Sequence, residues 1–195
     1  NSNIKKAKTI PSKIYYCNDI LEDLKEKVFV KNWQFICDTE ELNKNKNAYP
    51  YNFVDGFIDE PLLLTNHNNK ICSMSNVCTH RGNILIDKPC NLKQGIICRY
   101  HGRRFDVNGN FVFMPKCDEL EDFPSKKENL IHNPCNIWKQ FIFSSIEPSY
   151  PFEELVKEMD QRIGWMPVEK FHFSEERSKE YIVNANWALY CDNYL

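Results

Sequence analysis

The sequence predicts a mainly β chain of small antiparallel sheets that passes, after residue 147, into the opening of an α+β region. Three observations predict it. Residues 53 to 146 read as short strands divided by turn residues, and Asn108-Gly109 lies between two alternating stretches as a hairpin turn. Beyond Pro148 and Pro151, Phe152, Leu155, Val156, Met159 and Ile163 take up helical spacing that stops at Gly164.

Residues 1–52 read as a helix-and-strand flank. Asn18 is placed as the N-cap of a helix whose apolar face is Ile20, Leu21, Leu24 and Val28, and Trp33, Phe35 and Cys37 then alternate as a strand. The polar run Asn43-Lys44-Asn45-Lys46-Asn47 is an exposed loop. Residues 53–147 hold the β module, with strands over 61–65, 70–77 and 95–98. A hairpin joins 103–107 to 110–113, its Asn-Gly pair supplying the two positive φ angles of a type I′ turn, and a further strand pair is expected over 130–135 and 138–143. Residues 148–195 begin a second domain: the helix ending at Gly164, a strand over 179–184, and a helix from Asn186 onward.

The chain's 195 residues, 42% apolar and 13% aromatic, suffice for a core. A formal charge of −2 gives no global basic excess for nucleic acid. No apolar run approaches the ~18 residues that cross a bilayer, and no signal peptide opens the chain, so a soluble cytoplasmic protein without a membrane partner is expected. The sequence starts on Asn1 and stops in mid-pattern at Asp192-Asn193-Tyr194-Leu195, which reads as a piece of something longer. Its nine cysteines are odd in number and lack a secretory context, which favours reduced thiols and metal ligands over disulfides.

Two segments concentrate the chemistry: Cys78-Thr79-His80-Arg81-Gly82 and Cys98-Arg99-Tyr100-His101-Gly102. Each sets a thiolate and an imidazole within one turn, and the glycine closing each limb lets the backbone bend around a small inorganic core. Four such donors could hold zinc, although zinc fingers usually pair cysteine with cysteine and histidine with histidine. The mixed limbs suit a [2Fe–2S] cluster with two thiolates on one iron and two imidazoles on the other. Cys90, between the limbs, lacks partner spacing and reads as a structural thiol. His132, before Asn133-Pro134, is expected in a surface turn, and His172, between Phe171 and Phe173, in packing.

These paired limbs, with the Asn-Gly hairpin and Phe113-Met114-Pro115 after them, resemble the Rieske iron–sulfur proteins, and among them the large subunits of Rieske non-heme iron oxygenases. The resemblance implies that Cys78 and Cys98 bind the inner iron and His80 and His101 the outer iron. Respiratory Rieske proteins add a cysteine in each loop and a serine after the second His-Gly, where this chain has Asn83, Tyr100 and Arg103. With fewer hydrogen bonds to the sulfurs, a potential toward the lower end of the Rieske range, which runs from about −150 to +300 mV, is therefore expected. The segment Asn186-Trp187-Ala188-Leu189-Tyr190-Cys191-Asp192-Asn193-Tyr194-Leu195 is similar to the stretch that opens the catalytic domain of these oxygenases, and plant choline monooxygenases read much the same there.

The resemblance implies a homotrimer in which a reductase or ferredoxin passes NAD(P)H electrons to the cluster, and the cluster to a mononuclear Fe(II). Asp192 and Asn193 would stand near that iron without holding it, and its histidine ligands would lie beyond Leu195, so that this chain alone would not hydroxylate. A stand-alone Rieske ferredoxin explains residues 53 to 146 equally well. Two departures stand out: Arg103 replaces the tryptophan common after the second His-Gly, and Ala188 the lysine common after Asn-Trp. Four of the six arginines (81, 99, 103 and 104) fall by the ligand loops, a basic patch able to dock an acidic electron donor.

Overall fold

The computed structural model of the chain describes residues 3–43, 45–117 and 121–194, so Lys44 of the polar loop and Leu195 of the closing segment lie outside the described residues. Among the described residues ten strands, β1 (Gln34–Asp38), β2 (Ala48–Phe53), β3 (Glu60–His67), β4 (Lys70–Ser75), β5 (Ile96–Ile97), β6 (Arg104–Phe105), β7 (Phe111–Phe113), β8 (His132–Asn133), β9 (Cys135–Trp138) and β10 (Phe141–Ser144), form three antiparallel sheets. Their orders are β1-β10-β9, β2-β3-β4-β8 and β5-β6-β7. The α-helices α1 (Asn18–Leu24), α2 (Phe152–Ile163) and α3 (Trp187–Tyr194) flank them.

Strand β3 organises the interior. Leu62, Leu63, Leu64 and Thr65 are all buried, as befits a strand covered on both faces. Leu63 faces a core with Met74, Leu85, Ile96, Phe105 and Leu130, whereas Leu64 faces Leu42 together with Cys37 and Ile142 of the neighbouring sheet. Pro50, which has no N–H to give, sits on edge strand β2. A third core, Trp33, Trp138, Phe152 and Val168, holds α2 against the β1-β10-β9 sheet, with the Trp138 indole N–H donating to Asp160 at 2.9 Å.

Several expectations are corrected. Cys17 caps α1 and Asn18 is its first residue. A π-helical turn at Lys25–Phe29 rotates Val28 outward and brings in Phe29, which packs edge-on against Phe57 and Trp187. A bulge between Phe35 and Cys37 breaks the expected alternation, so Phe35 is exposed, its ring against Phe141 and Phe143. The strand pair expected over 130–135 and 138–143 is divided otherwise. His132–Asn133 joins β4, the chain changes sheets at Pro134, and the hairpin is β9–β10, turning at Lys139 (φ 55°) and Gln140. His132 is thus in a strand and not in a turn. Residues 179–184 form no strand: no neighbour pairs with them among the described residues, and Tyr181, Ile182 and Val183 are exposed.

The Asn-Gly hairpin forms, but not as type I′. Only Gly109 (φ 79°) has positive φ. Asp106 sets the turn instead: Gly109 N–H donates to its carbonyl at 3.0 Å, and its carboxylate accepts from the N–H groups of Asn108 (2.8 Å) and Asn110 (2.9 Å).

Candidate metal centre

The two limbs are the tips of antiparallel ribbons. A Val77–Ile84 bridge closes the neck of the first, and the Ile97–Arg104 pair of β5 and β6 closes the second. The buried Asn76 braces the first neck: its side chain donates to the Ile86 carbonyl at 2.7 Å and accepts from the Ile86 N–H at 3.0 Å. Beyond each neck the same two hydrogen bonds recur. Cys78 N–H donates to the Asn83 carbonyl (2.8 Å) and Gly82 N–H to the Cys78 carbonyl (3.0 Å); Cys98 N–H donates to Arg103 (2.8 Å) and Gly102 N–H to Cys98 (3.0 Å). Gly82 and Gly102 close the two turns at φ 69° and 74°, a conformation that L side chains resist. One loop frame is therefore used twice, with histidine two residues after cysteine in the first copy and three in the second.

This frame sorts the donors by depth. Cys78 and Cys98 are each 2% exposed and belong to the main core, their thiols close enough to interact, while His80 and His101 are exposed with ring centroids 4.9 Å apart. Burial pushes the Cys78 thiol up; the His80 N–H and the Arg103 cation oppose that, and Cys98 adds to it. His80 is pulled below its ordinary value by lost solvation and by His101, Arg81 and Arg103, which keeps its imidazole neutral, the form that binds metal. Among the described residues no three such groups close on a single-ion site. The donors come as two pairs, soft thiols inside and imidazoles outside, and that set fits a small iron–sulfur core.

Residues 32–124 match the family model of the Rieske [2Fe-2S] domain. The chain carries a Rieske domain. It is 30% identical over 149 residues to the carnitine monooxygenase oxygenase subunit of Escherichia coli (strain K12), covering 76% of this chain and 39% of the relative. It is 28% identical over 197 residues to the chloroplastic choline monooxygenase of Amaranthus tricolor, covering 96% and 42%. Its fold is that of the quaternary ammonium Rieske monooxygenase CntA, whose L-carnitine complex superposes with a TM-score of 0.77 at 21% identity, covering 95% of this chain and 52% of the other. The chain thus spans about half or less of the length of these relatives.

Around the Rieske limbs the structure adds contacts that the sequence did not show. Thr79 hydroxyl donates to the Glu128 carbonyl at 2.8 Å, Tyr100 stacks on His101 with centroids 3.8 Å apart, and Pro115 lies where a Cβ on Gly102 would meet it at 3.4 Å. Arg103 leaves the basic patch: it is buried and ion-paired with Glu128, so three arginines remain at the surface, of which Arg99 pairs with Asp87 at 3.1 Å and Arg104 lies over Phe113. Cys90 is half-buried beside the main core and bridges to Ala48 through its backbone. His132 is exposed and bonds the Asn108 carbonyl at 2.8 Å, and His172 is exposed and faces Glu40 at 3.0 Å instead of packing. Asp192 and Asn193 are exposed on α3, where Asp192 reaches the Tyr15 hydroxyl. Among the described residues no helix is long and apolar enough to cross a membrane.

Proposed function

We propose that this chain is the cluster-bearing part of a Rieske oxygenase large subunit, with Cys78 and Cys98 on the inner iron and His80 and His101 on the outer iron of a [2Fe–2S] cluster. The observation that carries this reading is the doubled loop frame, which buries both thiols and sets both imidazoles side by side at the surface. The bound cluster supplies one-electron storage, at a potential raised by its neutral histidine ligands.

The chain's own residues give that chemistry its direction. Core side chains around Cys78 and Cys98 keep water from the inner ligands, and the exposed imidazole edge leaves a short path for electrons to enter and leave. Electrons from NAD(P)H arrive through a reductase or ferredoxin partner, for which Arg81, Arg99 and Arg104 offer the docking charge. A mononuclear Fe(II) of the two-histidine, one-carboxylate type, within a homotrimer, would supply the O2 chemistry those electrons serve. Its ligands lie outside this chain, since His132 and His172 are engaged apart from each other; Asp192 and Asn193 stand near it, orienting ligands or water. Carnitine and choline are the substrates named by the relatives, and a small quaternary ammonium compound is the substrate class this reading assigns. That the choline enzyme is matched along 96% of this chain favours an oxygenase piece over a free carrier.

Anaerobic reconstitution followed by metal analysis tests the reading. It expects about two irons and two acid-labile sulfides per chain, and no cluster in the Cys98→Ser variant. A third iron independent of sulfide, with O2-dependent product, would misplace the oxygenase centre.

A further inference from the structure

Arg103 is a buried charge beside the ligand loops. It closes the second loop frame, its carbonyl held by Cys98 N–H, and its side chain turns inward to 3% exposure. The guanidinium lies over the Phe111 ring at 4.8 Å and near Phe105 at 5.7 Å. One terminal nitrogen reaches Met114 Sδ at 3.9 Å, the other pairs with the Glu128 carboxylate, and Nε is buried without a partner among the described residues. A buried cation of this kind persists only beside a counter-charge. Glu128 supplies it, and the same residue's carbonyl accepts from Thr79, which stands between Cys78 and His80.

Resting on the cluster assignment above, we infer that the Arg103–Glu128 ion pair is an electrostatic positioning device that clamps the two ligand loops together and sets the reduction potential of the cluster they hold. Three facts support it. The pair touches both limbs, the second through Arg103 itself and the first through Glu128 and Thr79. Arg103 is tied directly to an inner-ligand residue, its carbonyl accepting from the Cys98 N–H at 2.8 Å. Reduction adds one negative charge to the cluster, and in a dry environment a neighbouring cation stabilises that charge while a neighbouring carboxylate opposes it. The two partners therefore act on the potential with opposite signs, and the native value reflects their near-balance.

A charge cycle at fixed neutral pH tests this on the cluster-loaded chain, read by redox titration with EPR detection. Glu128→Gln, which keeps the shape and leaves the cation uncompensated, is expected to raise the potential. Arg103→Met is expected to lower it, and Arg103→Met with Glu128→Gln to return it most of the way. Arg103→Lys, which keeps the charge but not the flat fork, is expected to stay nearer the native value than Arg103→Met. Should Arg103→Met fail to assemble, the Glu128→Gln and Arg103→Lys arms decide the question. An assembled cluster whose potential is unmoved by Glu128→Gln, or moved downward, overturns the proposal while leaving the ligand assignment intact. A native chain that takes up no iron and sulfide overturns the ligand assignment itself.

Discussion

Replacing Gly109 by alanine probes the turn that carries β7 and the Phe113-Met114-Pro115 segment toward the ligand loops. Gly109 is buried at φ 79°, and a Cβ there would lie 2.8 Å from Met74 Sδ and 3.1 Å from Leu130 Cβ. The left-handed backbone costs an L residue about 1–2 kcal/mol, and crowding a packed core costs about 1–3 kcal/mol. Because the Met74 thioether is a flexible end that can give way, the sum is set at about 2–4 kcal/mol. At about 2–4 °C per kcal/mol for a chain of this size, Tm falls by roughly 4–16 °C. Asn108→Ala is the internal control: Asn108 has no positive φ, so its cost stays within about 0.5 kcal/mol. Thermal unfolding of the cluster-loaded chain, followed by near-UV circular dichroism, measures both. If Asn108→Ala cost as much as Gly109→Ala, the turn would be the type I′ form and the Asp106-centred geometry would be refuted.

Other predictions follow from the same geometry. Asp106→Ala removes the acceptor of the Asn108 and Asn110 N–H groups and should destabilise by about 1–3 kcal/mol in the same assay, with the cluster still assembling. Burial pushes the Tyr51 phenol up to about 12, so the folded chain keeps a proton that an unfolded tyrosine loses near pH 10; stability is fully present below pH 10 and falls as pH rises toward 12. Tyr51→Phe should flatten that alkaline fall in urea titrations run at stepped pH. Buried Cys37 and half-buried Cys135, both pushed up to about 12, start the decline from pH 9. On the proposed ligand set, His101→Cys should keep a cluster but shift its potential downward in a redox titration, since a charged thiolate would replace a neutral imidazole on the outer iron.

The ligand loops were the most legible part of the sequence because their determinants are local. Cysteine, histidine and glycine fall within each limb, and the hydrogen bonds that shape each loop run between residues five apart or fewer. The α2 helix was legible for the same reason, its period and its stop at Gly164 being contiguous. What escaped depended on distant partners. The counter-ion of Arg103 lies 25 residues away with no marker beside it, although an arginine in place of a tryptophan signals that a buried charge needs one. Strand pairing at 130–144 was misread because Pro134 moves the chain between sheets and the β9–β10 turn uses Lys139-Gln140, which lacks turn composition. The alternation at 179–184 promised a strand, yet a strand exists only beside a neighbour, and none pairs with it among the described residues. Asn-Gly announced a hairpin correctly but not its type, because Asp106 competes for the turn N–H groups with its own carboxylate.

The central claim, histidine on one iron and cysteine on the other, is tested most directly by pulsed EPR of the reduced cluster in chain labelled with 15N-histidine. Strong coupling to two histidine nitrogens, reduced to one in His80→Cys or in His101→Cys, is the result the structure predicts. A reduced [2Fe–2S] signal with no strongly coupled histidine nitrogen would contradict it.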